Sequence, residues 1–257
     1  MLDPGPAVYR RGCRMRAAGS HAVKRIAPRD TASRPDVRAS VRTRGSRKIS
    51  PAGLPLITPA VADGMRIGLM GGSFNPPHAG HVAVARAALR RLGLDQVWLL
   101  VTPGNPLKPK HDLGELADRL AAVQRLAARD PRIVATDIEC RLGSAYTVDT
   151  LTALRRRHPR VRFVWIMGAD SLANFHRWRE WRRIASLAPM AIVDRPGWRF
   201  RALASPAART LAGNRIREHE ARLLTRHRPP AWTFLSTRLS HLSSTDLRRK
   251  RASAAGA

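Results

Sequence analysis

Two histidines three residues apart, His78 and His81, close the stretch Gly71-Gly72-Ser73-Phe74-Asn75-Pro76-Pro77-His78-Ala79-Gly80-His81. The apolar run from Met65 to Met70 reads as a buried strand, and Val82 to Leu92 reads as a helix. A small-residue turn between strand and helix aims backbone N–H groups at whatever lies above the helix N-terminus, which makes an anion site. The two imidazoles share one helix face, roughly 5–6 Å apart at Cβ. Gly80 leaves the backbone open to a phosphate, and Pro76 and Pro77 fix the turn. This suits a phosphate better than a metal or a nucleophile. A histidine pair at this spacing is also common surface decoration; the strand–turn–helix context favours the phosphate.

Four further groups of polar residues fall where strands should end. Asn105-Pro106-Leu107-Lys108 delivers an amide and an ammonium, or is a solvated loop. Ser144-Ala145-Tyr146-Thr147-Val148-Asp149-Thr150 opens a helix. Its hydroxyls are ordinary N-caps, yet free N–H groups there would also receive a carboxylate. In Gly168-Ala169-Asp170-Ser171, the acid suits ribose hydroxyls, though it could equally cap the next helix. Trp178 and Trp181 lie one helical turn apart; such rings are usually core, but one at a cleft edge can stack on an aromatic ring. Ser243-Ser244-Thr245-Asp246-Leu247-Arg248 offers a second phosphate cradle with a charge-assisted donor in Arg248.

The elements that must hold these groups alternate. Strands are expected at Val97–Val101, Ile133–Ala135, Val161–Met167, Met190–Val193 and Trp232–Leu235. Helices are expected over Leu113–Ala128, with Leu116, Leu120, Val123 and Leu126 on its apolar face, and over Thr147–Arg157, Trp178–Leu187 and Ser243–Lys250. Arg195 to Pro230 reads as loops with one helix around Ile216 to Thr225. The pattern predicts an α/β fold: a Rossmann-like, doubly wound, mainly parallel sheet with helices on both faces. Ligands of such sheets bind beyond the carboxyl ends of the strands.

Composition narrows the class. No apolar run approaches the roughly 20 residues that span a bilayer. Two cysteines, Cys13 and Cys140, argue against a disulfide framework or zinc site and for a reducing compartment, so a cytoplasmic location is expected. The formal charge of +29 invites a nucleic-acid reading, but the arginines are scattered and few aromatics interleave with them as stacking platforms. Residues 1–64 contain no Glu and lack periodicity; they read as a disordered basic extension, a transit-like segment, or sequence preceding a true start at Met65. The expected organisation is this extension, a domain over residues 65–251, and a disordered tail over 252–257.

From about Met65 to Arg249 the chain resembles the bacterial nicotinate mononucleotide adenylyltransferases, nucleotidyltransferases that share a His-x-Gly-His motif. The resemblance rests on the motifs quoted above together with Arg195-Pro196-Gly197. It implies transfer of AMP from ATP to nicotinate mononucleotide, giving nicotinate adenine dinucleotide and pyrophosphate in NAD biosynthesis. Carried over by motif, His78, His81 and Arg248 would be catalytic. Gly72, Ser73, Phe74, Gly80, Gly168, Asp170, Ser243, Ser244 and Thr245 would join them in binding ATP. Asn75, Lys108, Tyr146, Thr147 and Trp178 would bind the acceptor. No carboxylate cluster marks a metal cage, so Mg²⁺ is expected to arrive on the triphosphate. Nicotinamide mononucleotide or phosphopantetheine as acceptor, and a basic nucleic-acid-binding protein, are the alternatives.

Overall fold

The computed structural model describes residues 56–104 and 113–236. Asn105 to Lys108, and the closing segment with Ser243, Ser244, Thr245 and Arg248, lie outside them.

Seven parallel strands form one sheet: β1 (Arg66–Gly72), β2 (Gln96–Val101), β3 (Ile133–Thr136), β4 (Arg162–Gly168), β5 (Met190–Val193), β6 (Arg215–Ile216) and β7 (Trp232–Leu235), in the order β3-β2-β1-β4-β5-β7-β6. The chain winds outward from β1 to β3, then crosses back to place β4 on the other side of β1. That reversal opens a crevice between β1 and β4 at their carboxyl ends. Met70 pairs with Ile166, so the two strands end side by side, two residues on, at Gly72 and Gly168.

Alternating side chains feed two cores, one per face. Ile67, Leu69, Trp98, Trp165 and Met167 pack on one face against α4 (Thr147–Arg157), α5 (Ala169–Asn174) and α6 (Trp181–Leu187). Leu99, Val101, Val164 and Ile166 pack on the other against α1 (Ala79–Leu92) and α2 (Leu116–Ala127). Helix α1 stops at Gly93, whose φ of 62° only glycine adopts without strain. The doubly wound expectation holds, with all strands parallel.

Several elements differ from expectation. Helix α1 begins at Ala79, three residues earlier than its apolar pattern, because His78 is its extended N-cap. Helix α2 buries Arg119, Val123 and Ala127, whereas Leu116, Leu120 and Leu126 are only partly covered. A short helix, α3 (Ile138–Leu142), follows β3. The stretch from Arg195 to Pro230 holds α7 (Arg199–Leu203), α8 (Pro206–Thr210), β6 and a 3₁₀ run at Glu218–Arg226 in place of the expected α-helix. Cys140 is disulfide-bonded, against the expectation that a disulfide is improbable. Leu56 and Val61, placed in the extension by sequence, pack on the core, and the Gly64 amide donates to the Arg160 carbonyl. Among the described residues, no helix is long and apolar enough to cross a membrane.

Candidate active site

The turn leaving β1 is held from below. Phe74 takes a positive φ of 46° and buries its ring beneath Gly72, edge-on to the His81 imidazole at 4.8 Å. Phe74 is only 1% exposed, so its ring supports the turn from below. The buried Arg119 guanidinium donates to the carbonyls of Ser73 at 2.7 Å, Thr102 at 2.9 Å and Gly114 at 2.7 Å. It thereby ties the ends of β1 and β2 to the approach to α2. Sequence reasoning missed this residue; its only signal was a cation inside an otherwise apolar stripe.

The two imidazoles stack at 3.8 Å between centroids above the start of α1. The His78 backbone N–H donates to His81 Nδ1 at 3.1 Å, which places the His81 proton on Nε2. Burial, with lesser push from His78 and Arg195, lowers the His81 pKa to about 3. Burial likewise lowers that of His78, with Arg195 adding to it. Both rings are therefore neutral at pH 7 in this structure, and the first turn of α1 carries no acid to occupy its amides. His78 Nδ1 is buried without a hydrogen-bond partner among the described residues.

Arg195 is the cation beside this pair. Its guanidinium is anchored to Asp170 at 2.6 Å. Asp170 folds back over the end of β4, where a Cβ at residue 168 would sit 2.5 Å from its Oδ1, so Gly168 is what lets the carboxylate lie there. The site thus brings His78, Gly80, His81, Gly168 and Asp170 together near the tips of β1 and β4.

Beside them lies a cleft of about 400 Å³. Gly72, Ser73, Tyr146, Thr147 and Trp178 line it, together with residues the sequence reading passed over, among them Thr102, Glu139, Trp165 and Arg179. Tyr146 and Thr147 stand at the start of α4, beneath the Arg179 guanidinium, which lies 4.8 Å from the Tyr146 ring centre. Ser144 accepts from the Tyr146 amide and donates to Asp149, fixing that entry. Trp178 and Trp181 are not one helical pair. Glu180, at φ 49°, breaks the chain between them. Trp181 joins the core under Phe175, while Trp178 stays at the cleft, edge-on to Trp165 at 6.4 Å. Asn75 lies in the turn with neighbours of its own and does not line the cleft.

Among the described residues, no group of three His, Cys, Asp or Glu could hold a metal. These residues offer a divalent cation no cage of their own.

Parallel topology, a histidine-bearing glycine turn at β1 and an acid at the β4 tip agree with the nucleotidyltransferases that the sequence resembles. The cytidylyltransferase-like family matches residues 69–250. Among curated relatives, probable nicotinate-nucleotide adenylyltransferases of Rhizobium meliloti and Bradyrhizobium sp. (strain ORS 278) are 54% and 56% identical, each over 72% of this chain and 97% and 95% of the relative. The chain belongs to the nicotinate-nucleotide adenylyltransferase family. The fold is also that of a Plasmodium falciparum nicotinic acid mononucleotide adenylyltransferase solved with NaAD, at a TM-score of 0.55 and 19% identity over 72% of this chain and 83% of that one.

Proposed function

We propose that this chain is an enzyme that transfers AMP from ATP to nicotinate mononucleotide, releasing pyrophosphate and forming nicotinate adenine dinucleotide in NAD biosynthesis. One observation carries the reading: an anion-binding turn and a ring-sized cleft ending at a helix start lie together at the crevice between β1 and β4.

A 5′-phosphate oxygen of the acceptor forms the new bond to the α-phosphorus of ATP, and the bond from that phosphorus to the β-phosphate bridge breaks in line. A phosphate monoester is ionised near pH 7, so no general base is needed, and catalysis is positioning plus charge stabilisation. The amides at Gly72, Ser73, Phe74 and Gly80, with His78 and His81, hold the triphosphate. His81 donates through Nε2–H, and a phosphate beside it favours the charged ring over the neutral one of the ligand-free site. Gly168 and Asp170 meet the adenosine ribose, and Arg195 adds positive charge beside the histidines. Tyr146 and Thr147 receive the nicotinate carboxylate at the start of α4, Trp178 stacks on the ring, and Asn75 orients the acceptor phosphate. By motif, Ser243, Ser244, Thr245 and Arg248 hold the outer phosphates, and Lys108 faces the acceptor. Mg²⁺ carried on the nucleotide substrate would supply charge neutralisation at the leaving pyrophosphate. The catalytic unit spans residues 65–251 together with the segment from Leu56 that packs on its core, and works in the cytoplasm.

Pyrophosphate release with ATP and Mg²⁺ tests this. A kcat/KM at least about 100-fold higher for nicotinate than for nicotinamide mononucleotide is expected, a difference of roughly 2.7 kcal/mol. Equal rates would discard the carboxylate role of Tyr146 and Thr147. No turnover with either acceptor would discard the reading.

A further inference from the structure

One acid in the cleft has no use in the scheme above. Glu139, on α3, is 3% exposed and lines the same cleft as Tyr146 and Thr147. Every group packed against it matters to its charge. The end of β2 presents Thr102, whose hydroxyl donates to the Gly104 carbonyl at 2.7 Å and also hydrogen-bonds the Glu139 carboxyl, a contact that favours its charged form. From α4 comes the Thr150 hydroxyl at 3.5 Å, which also reaches the Tyr146 carbonyl at 3.3 Å. On its own helix, Arg141 is engaged by Asp137 at 2.7 Å. Asp149 is engaged by Ser144, and Arg119 by three carbonyls on the far side of Thr102. Across the cleft, Arg177 and Arg179 are exposed at its rim. None of the described cations forms an ion pair with Glu139. Burial raises the pKa of this carboxyl, and the two hydroxyls only partly offset it.

This has a consequence for the acceptor. A carboxylate seated at the start of α4 shares a cleft of about 400 Å³ with this acid. Two negative charges within one such cleft, in a medium less polarisable than water, repel. An amide in the same position feels no such repulsion.

We propose that Glu139 sets the charge preference for the acceptor: uncharged, it lets the cleft take a carboxylate-bearing pyridine ring, and ionised, it turns the same cleft toward the neutral amide. The proposal rests on the functional reading above. Burial raises the Glu139 pKa to about 7, so the change falls in the range where cells work. The sign is fixed by linkage: an anionic acceptor binds the protonated form and draws a proton in, so its affinity falls as pH rises through that value.

Two measurements test it. The first is kcat/KM for nicotinate and nicotinamide mononucleotide from pH 6 to 9, in the wild-type enzyme and in Glu139→Gln. In the wild type the acid-to-amide ratio falls by at least about tenfold between pH 7 and 9, as a single titrating group requires. In Glu139→Gln, which keeps the shape and both hydroxyl partners, the ratio stays flat and high. A flat wild-type ratio, or an equal fall in the variant, overturns the proposal while leaving the activity intact; no turnover with either acceptor instead overturns the functional reading. The second is proton uptake on acceptor binding at pH 8, by calorimetry of the wild-type enzyme in buffers of different ionisation enthalpy. Both acceptors carry the same phosphate, so their difference isolates the ring substituent. Extra uptake of about half a proton or more with the acid supports the proposal. No difference overturns it, even where the variant fails to fold.

Discussion

The two ends of the crevice are built on opposite terms. At the β1 end, where the proposed function places the triphosphate, stand two imidazoles that are neutral in the ligand-free site, with Arg195 as the cation beside them. At the α4 end, a walled cleft is already formed, and its buried acid has no cation among the described residues to balance it. Neutral donors suit a substrate that carries several charges and its own cation: they stabilise developing charge without gripping the ground state. A charge-sensitive wall suits a substrate that must be told from its amide by a single charge.

The largest test of this contrast is His81→Ala. In the proposed function it removes an imidazole donor to the reacting phosphates, so kcat should fall by roughly 10²–10³-fold while the KM for ATP changes only severalfold. Equal losses in both would mean that the imidazole grips the nucleotide rather than the transition state. Next comes acid stability. His81 is neutral when folded and takes up a proton when unfolded, since its folded pKa of about 3 lies below the ordinary value of 6.5. Its contribution is therefore fully present above pH 6.5 and lost as pH falls toward 3. Denaturant melts of the ligand-free protein should show about 2 kcal/mol less stability at pH 5 than at pH 7 from this group. His81→Gln should show less of that slope. The smallest effect is expected at the other end, where Trp178→Ala should raise the acceptor KM by about tenfold, with kcat nearly unchanged. A matching fall in kcat would make Trp178 part of the transition-state geometry as well.

The sequence showed the glycine turn because strand, turn and helix each announced themselves: apolar run, small residues, then 3.6-residue periodicity. It showed the strands of the central sheet for the same reason, since buried parallel strands are continuous apolar runs. The residues it hid broke a rule of thumb. Arg119 reads as a solvent-facing cation between Leu116 and Leu120, yet backbone carbonyls at the tips of β1 and β2 draw it inward and rotate the buried face of α2. Glu139 sits on a five-residue helix, too short to show periodicity, so nothing marks its carboxyl as inward-facing. The Trp178–Trp181 pair looked helical because no residue type forecasts the left-handed Glu180 between them. The carryover of individual roles to His78, His81 and the α4 start came from motif spacing, which topology then placed at one crevice.

Arg119 also fixes one wall of the crevice. By holding the Ser73 and Thr102 carbonyls in one planar fork, it makes the β1 and β2 tips a rigid anvil. The facing wall is fixed differently, by the Phe175, Trp165 and Trp178 rings packed edge to face.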